Sequence, residues 1–408
     1  MDKQVFYRDA RDDLTGPLAG VRVLDATTAW SGPMAGCLLA DLGADVVRIV
    51  PPGDPGLRWP PHLPGTSARS FAEETVNRNK RSIAVDLRQA AGADVFLRLV
   101  RHADVVLENF KPGTLDGWGV GYRQCAAVKP DLVFVSISGW GQFGPRHERP
   151  GYDPAALAYG GWQSLNGSPE GPPTKAPTFL CDDLAGLHAA LSALAALHHR
   201  GRTGEGQHVD VALLDAILFQ SNGLLTLGAS DVPLRRWGNE LAVSAPSNNY
   251  ACADGHVYIG LVLDSHWRAL CDVMGRTEFA SAPGFATNLE RVEQRSAINA
   301  LVGGWAATRT REEILAALDA AGIVCAPVND YATAARDAHV LARDMLQPTV
   351  LSDGSTVPLT GPAAKFSRTP TRVRHAAPVP GAQTDEVLTA AGYDEASLAR
   401  LRAQGVIG

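Results

Sequence analysis

The chain lacks the cysteine spacing of a metal or disulfide scaffold. Its six cysteines, Cys37, Cys125, Cys181, Cys252, Cys271 and Cys325, are scattered over 408 residues with no C-x-x-C pair. With no H-E-x-x-H either, no metal site is expected, and a reducing cytoplasmic setting is. An excess of positive charge is also missing. The 37 Lys and Arg face 43 Asp and Glu, a formal net charge of -6, so nucleic acid is not an expected partner. The start, Met1-Asp2-Lys3-Gln4, has no apolar leader, and no apolar run is expected to span a bilayer, so no membrane partner is expected. The nucleotide fingerprints G-x-G-x-x-G and G-x-x-x-x-G-K-[ST] and the serine elbow G-x-S-x-G are absent. No permanently bound cofactor is expected.

What is present is an ordinary globular composition, 45% hydrophobic and 20% charged, in a chain too long for one compact core. The first half alternates strand and helix. Strands are expected at Val21–Ala26, Asp45–Val50, Ser82–Leu87, Asp104–Glu108 and Leu132–Ser136, with helices at Pro33–Leu42 and near Ala91–Arg101. Short Val/Ile/Leu-rich strands separated by helices imply βαβ units around a parallel, Rossmann-like sheet. Ligands in such sheets gather at the carboxyl ends of the strands, where Ser31-Gly32-Pro33, Glu108-Asn109-Phe110 and Ser138-Gly139-Trp140 would sit. From about residue 235 the texture changes. A hairpin is expected around Asp254-Gly255, followed by helices at Ser265–Met274, Arg291–Trp305 and Arg311–Ala320. The Pro-rich segment Gly361–Gly381 reads as an extended return, ending in a helix over Thr384–Ala391. The fold class expected is therefore α/β. A large domain over 1–225 is completed by 345–408, and a smaller α+β domain spans 235–335.

The most informative stretch is 178–215. Asp182 and Asp183 stand where an amphipathic helix begins. Leu184, Leu187, Leu191 and Leu194 recur at helical spacing with small Gly186, Ala189, Ala190 and Ala193 between them, the pattern of a helix packed by its small faces. The basic run His198-His199-Arg200-Gly201-Arg202 is expected to stop it, and a strand through Val209, Val211 and Leu213 to follow. A carboxylate among the free N–H groups of a helix start is expected to stay ionised at neutral pH. The plainest role for either Asp is to cap the helix. Cys181 beside them reads as a small buried hydrophobe.

Eight segments in order resemble the class III coenzyme A transferases, the family of formyl-CoA:oxalate and carnitine-type CoA transferases. They are Pro17 to Asp25, Ser31-Gly32-Pro33, Asp41 to Arg48, Asn79-Lys80-Arg81-Ser82-Ile83, Glu108 to Gly113, Ser136 to Gly141, Gly151-Tyr152-Asp153 and Arg202 to Gln207. In that family an Asp four residues before the helix Gly carries the acyl group, and counting back from Gly186 lands on Asp182. The resemblance implies that coenzyme A, or its acyl thioester, is a substrate. It implies coenzyme contacts at Arg48, Arg78, Asn79, Lys80, Arg81, Asn109, Phe110, Lys111 and Trp140, and a substrate pocket at Trp30, Ser138 and Tyr152. It further implies two ring-like subunits interlocked as a homodimer.

Departures from the family pattern bear on the acids handled. Trp30 replaces a Gln of the formyl-CoA transferases, Gly141 an acidic residue, Ser138 a Lys, and Gly117 an Arg near the coenzyme phosphates. The glycine-run loop over the oxalate-type site is replaced by Val243 to Tyr250. A carboxylate larger than oxalate or formate is therefore expected. The activity expected is acyl-CoA:carboxylate CoA transfer through an aspartyl-acyl anhydride and an aspartyl-CoA thioester. One alternative is α-methylacyl-CoA racemisation, whose subgroup carries Gly-His-Asp where this chain has Gly151-Tyr152-Asp153. Phenols titrate near 10 in model compounds, which suits proton shuttling poorly. The other alternative is a non-catalytic acyl-CoA-binding subunit.

Overall fold

A computed structural model describes residues 2–408. It is an α/β protein built on six parallel strands: β1 (Arg22–Ala26), β2 (Asp45–Val50), β3 (Arg81–Ala84), β4 (Val105–Glu108), β5 (Val133–Ser138) and β6 (Gln207–Ala212). The strand order is β3-β2-β1-β4-β5-β6. Strand β3 is shorter than expected, and beyond it Val85 makes only a single bridge to Ile407. Strand β6 ends at Ala212, so Leu213 opens a helix instead of closing the strand. The helices between the strands that matter here are α1 (Ser31–Asp41), α2 (Phe71–Asn77), α3 (Ala90–Val100), α4 (Asp153–Tyr159) and α5 (Leu180–Thr203).

The sheet is buried on both faces, as its Val/Ile/Leu-rich strands require. Leu24, Val47, Ile49 and Ile83 pack on one side with Val95, Phe96 and Leu99 of α3. Val23, Val46, Val105, Val133 and Val135 pack on the other with Ala35 and Leu39 of α1 and the small residues of α5. Each such side chain taken from water contributes about 1.5–3 kcal/mol. Strand order reverses between β1 and β4, so the loops leaving their carboxyl ends diverge and open a crevice.

Helix α5 buries its small face. Ala185, Gly186, Ala189, Ala190 and Ala193 are buried, whereas Leu187 and Leu191 are 52% and 59% exposed. The close approach is required at Gly186, where an added Cβ would lie 2.9 Å from the Ser31 carbonyl oxygen of α1. Two expectations are corrected here. The helix runs through the basic segment to Thr203 and stops at Gly204, which takes the left-handed conformation at φ 78°. It is also, by length and composition, apolar enough to cross a membrane, because an alanine-rich face made for close helix packing scores as apolar.

Contacts divide the described residues into two units. One holds those up to Trp162, with Lys175–Ser230 and Ala338–Gly408; the other holds Gln163–Thr174 and Asp231–Asp337. The second unit has an antiparallel sheet of β7 (Ser247–Cys252), β8 (Gly255–Gly260) and β9 (Cys325–Pro327). Helices α6 (Asp264–Met274), α7 (Arg295–Ala306) and α8 (Arg311–Ala320) build its core around Trp267, Val302 and Leu318. A capping box, Thr310 with Glu313, starts α8. In the first unit the return segment before α9 (Thr384–Ala390) is extended and lies along the approach to β3. Ala377 N–H donates to Glu74, and Gly381 N–H to the Ser82 hydroxyl.

The small face of α5 makes a stability prediction. Ala189→Leu places three extra heavy atoms where nothing is free to move, and should lower unfolding free energy by about 1–3 kcal/mol in urea titration. A change below about 0.5 kcal/mol, the size of an ordinary surface substitution, would show that the face is looser than described.

Candidate active site

Three carboxylates meet at the first turn of α5. Leu180 is its first residue, so Asp182 and Asp183 lie inside the helix and neither caps it. The cap comes from α4 instead. Asp153 Oδ2 accepts from the backbone N–H of Cys181 at 2.6 Å and of Asp182 at 3.4 Å. Asp153 is buried and reaches this position because Gly139 and Gly151 pass close together. A Cβ on Gly139 would lie 2.6 Å from Gly151 Cα. The segments Ser138-Gly139-Trp140 and Gly151-Tyr152-Asp153 are thus brought side by side.

Two neighbours from the turn after β1 complete the group. The Ser31 hydroxyl hydrogen-bonds Asp182, and Trp30 Nε1 donates to Asp183 Oδ1 at 2.7 Å. Trp30 is itself buried among aromatics, with Phe179 at 4.8 Å, Phe71 at 6.1 Å and Trp59 stacked at 6.4 Å between ring centroids. The turn is held from across the crevice. Asn109 Oδ1 accepts from Thr28 N–H at 2.8 Å, and its amide donates to the Thr28 carbonyl at 2.7 Å.

The electrostatics correct the expectation of a fully ionised nucleophile. Burial pushes the Asp182 carboxyl up to about 7. The charges of Asp153 and Asp183 push the same way, and the Ser31 hydrogen bond opposes them. The dipole of α5 does not win because Asp153 already occupies its first N–H groups. Asp183 is also raised, by burial first, with the Trp30 indole opposing. Burial pushes the Cys181 thiol up to about 12, so it is a protonated core residue rather than a competing nucleophile.

The residues expected around the coenzyme divide into two groups. Asn109, Phe110, Lys111 and Trp140 lie at the carboxyl ends of β4 and β5. Phe110 packs edge-on to Trp118, Lys111 is exposed, and Trp140 Nε1 donates to the Pro150 carbonyl at 3.1 Å. Ser138 is buried and accepts from Gly141 N–H, while Tyr152 is 74% exposed. The basic cluster lies elsewhere. Arg48 pairs with Glu73, Arg78 with Asp41 at 2.6 Å and Lys80 with Asp25 at 2.7 Å, all buried. Asn79 is used by Asp41 and by the backbone of Arg372, Arg374 and His375 in the return segment. Arg81 opens β3 at the opposite edge of the sheet and pairs with Asp45 and Glu386. In this conformation each of the four cations is paired with an acid.

Sequence reasoning passed over Asp153, Ser31 and Glu108 as individual groups. Glu108, raised to about 7 by burial, accepts from Phe110 N–H at 2.8 Å and shapes the loop that presents Asn109. Its only sequence signal is an acidic residue ending an apolar strand, where burial is expected.

The sequence pattern of CoA-transferase family III matches residues 18–384. The succinyl-CoA–D-citramalate CoA-transferase of Chloroflexus aurantiacus is 35% identical over 396 residues, covering 96% of this chain and 98% of that protein. The acetyl-CoA:oxalate CoA-transferase of Acetobacter aceti is 34% identical over 350 residues, covering 85% and 90%. The crystal structure of a CaiB/BaiF family protein from Brucella suis superposes with a TM-score of 0.82 at 33% identity, covering 92% of this chain and all of that one.

Opposite shifts test the electrostatics of the group. Asp153→Asn keeps an acceptor for the helix N–H groups but removes a charge that raises Asp182, so the Asp182 ionisation should fall below about 7. Ser31→Ala removes the opposing hydrogen bond and should raise it. Carbon-detected NMR titration of the aspartate side chains reads both. Shifts of the same sign would contradict the arrangement.

Proposed function

The chain belongs to CoA-transferase family III and is an acyl-CoA:carboxylate CoA-transferase; from that premise we propose that Asp182 is the group that carries both the acyl chain and the coenzyme. The observation that carries the reading is a carboxylate raised to about 7, partly enclosed at a helix start and flanked by two further carboxylates, with no cation paired to it. A raised carboxylate is a stronger nucleophile than one at its ordinary value, and near neutral pH about half of it is ionised.

One Asp182 oxygen attacks the thioester carbonyl and the C–S bond breaks, giving an aspartyl-acyl anhydride and coenzyme A thiolate. The thiolate attacks the Asp182 carbonyl, releasing the donor acid and leaving an aspartyl-CoA thioester. The acceptor carboxylate attacks that thioester carbonyl and expels the thiolate, which then takes the acceptor's acyl group and frees Asp182. The buried aromatic group around Trp30 limits water at intermediates that would otherwise hydrolyse. Asn109, Phe110, Lys111 and Trp140 offer the coenzyme a polar and aromatic edge at the carboxyl ends of β4 and β5, and Ser138 and Tyr152 belong to the acid's surroundings.

The relatives' names concern succinyl-CoA with D-citramalate and acetyl-CoA with oxalate, so overall likeness does not choose between acids. The wall of Trp30, Trp59, Phe71 and Phe179 favours an acceptor bulkier than oxalate. The working form is proposed as an interlocked cytoplasmic homodimer, which would cover the exposed Leu187 and Leu191.

Asp182→Ala should abolish transfer while leaving coenzyme A affinity within about threefold, because the group lost is the nucleophile and not a coenzyme ligand. Asp183→Ala should keep measurable turnover. Steady-state transfer assays with calorimetric binding decide; an active Asp182→Ala variant overturns the assignment. Rapid α-deuterium exchange into a 2-methylacyl-CoA, with no transfer to any acid in a broad panel, would favour racemisation instead.

A further inference from the structure

We propose that the buried Lys80–Asp25 pair is a positioning device for the reacting carboxylate, fixing the turn that brings Ser31 to Asp182 and Trp30 to Asp183. The inference rests on the reading of Asp182 as nucleophile. Lys80 Nζ donates to Asp25 Oδ2 at 2.7 Å, to the Pro33 carbonyl at 2.8 Å and to Asn77 Oδ1 at 3.0 Å. An ammonium has three protons, so these contacts exhaust it. Both side chains are fully enclosed, and a phosphate has no route to the charge.

The pair touches both ends of the turn. Asp25 is the last residue but one of β1, and its other oxygen accepts from the Thr27 hydroxyl and, at 3.2 Å, from the Thr27 N–H. Lys80 holds Pro33 in the first turn of α1. Between Thr27 and Pro33 lie Ala29, in the left-handed conformation at φ 62°, then Trp30 and Ser31. A non-glycine residue holds that conformation only when its surroundings over-determine it. The fit is tight on two sides. A Cβ on Gly36 would lie 2.4 Å from Asp25 Oδ2 and 3.0 Å from Lys80 Nζ, and a Cβ on Gly32 would lie 2.5 Å from Thr27 Cβ. Lys80 and Asp25 are not among the charges that shift Asp182, which feels burial, Asp153 and Asp183 against the Ser31 bond. Their influence therefore passes through geometry.

The test replaces both charges together, Lys80→Met with Asp25→Leu, so that neither is left unpaired in the core. In the full-length protein, kcat should fall at least about tenfold while KM for the acyl-CoA stays within about twofold. Losing the Ser31 bond disfavours the carboxylate form of Asp182, so the acidic limb of kcat/KM should move to higher pH, as in Ser31→Ala. Adding Ser31→Ala to the double variant should cost nothing further. A roughly tenfold rise in KM with kcat and the limb unchanged would make Lys80 a coenzyme ligand and overturn the proposal. Unchanged kcat and limb in a folded variant would reduce the pair to a stability element and overturn it equally. If the double variant does not fold, Thr27→Val decides, because it removes only the hydroxyl bond to Asp25. A smaller limb shift in the same direction supports the proposal, and an unmoved limb overturns it. Asp182→Ala in parallel separates the two claims: wild-type turnover there sinks the nucleophile assignment, whereas a dead Asp182→Ala with an unaffected pair variant sinks only the positioning role.

Discussion

The constraint on which the site depends is the crowding of Asp153, Asp182 and Asp183 at one helix start, where only Asp153 feels a cation, Lys175. Carboxylates so placed cannot all ionise freely, and the cost falls most on the one with the fewest hydrogen bonds to set against its burial. Asp153 meets it by taking the N–H groups of Cys181 and Asp182, and Asp183 by taking the Trp30 indole. Asp182 has only the Ser31 hydroxyl against its burial, and its carboxyl rises to about 7. Acid and carboxylate forms are then both populated near neutral pH, which suits the nucleophilic role proposed for Asp182.

The fold is arranged to hold that crowding in place. The small face of α5 lets α1 approach until Ser31 and Gly186 touch, which puts the hydroxyl within reach of Asp182. The reversal of strand order between β1 and β4 lets Asn109 cross the crevice and clamp the Thr28 backbone from the opposite loop. Under both, the Lys80–Asp25 pair fills the space left by Gly36. The group is therefore held from the sheet, from α1 and from α4, with each tie short and specific.

The elements were legible in the sequence because their signals are local. Val/Ile/Leu runs marked the parallel strands, and the spacing of Gly186, Ala189, Ala190 and Ala193 marked the buried face of α5. The candidate nucleophile was legible only through resemblance, since an acidic pair at a helix start ordinarily signals a cap. What was not legible depends on partners far apart in the chain. Lys80 meets Asp25 from 55 residues away, Arg78 meets Asp41 from 37, and Arg48 meets Glu73 from 25. A basic run gives no hint of such partners, so the inward turn of Arg78 and Lys80 shows only in the structure. The same holds for Asp153, which caps α5 from 28 residues upstream of Cys181 and alters the charge state expected of its neighbour.

The central claim is that an oxygen of Asp182 passes between the two acids. Turnover with an acceptor carboxylate labelled with oxygen-18 at both oxygens tests it directly, followed by mass spectrometry of the peptide containing Asp182. The account predicts that one labelled oxygen is left in the Asp182 side chain after a cycle and then appears in the donor acid released by the next. Repeated transfer with no label in that side chain, or label confined to Asp183 or Asp153, would contradict it.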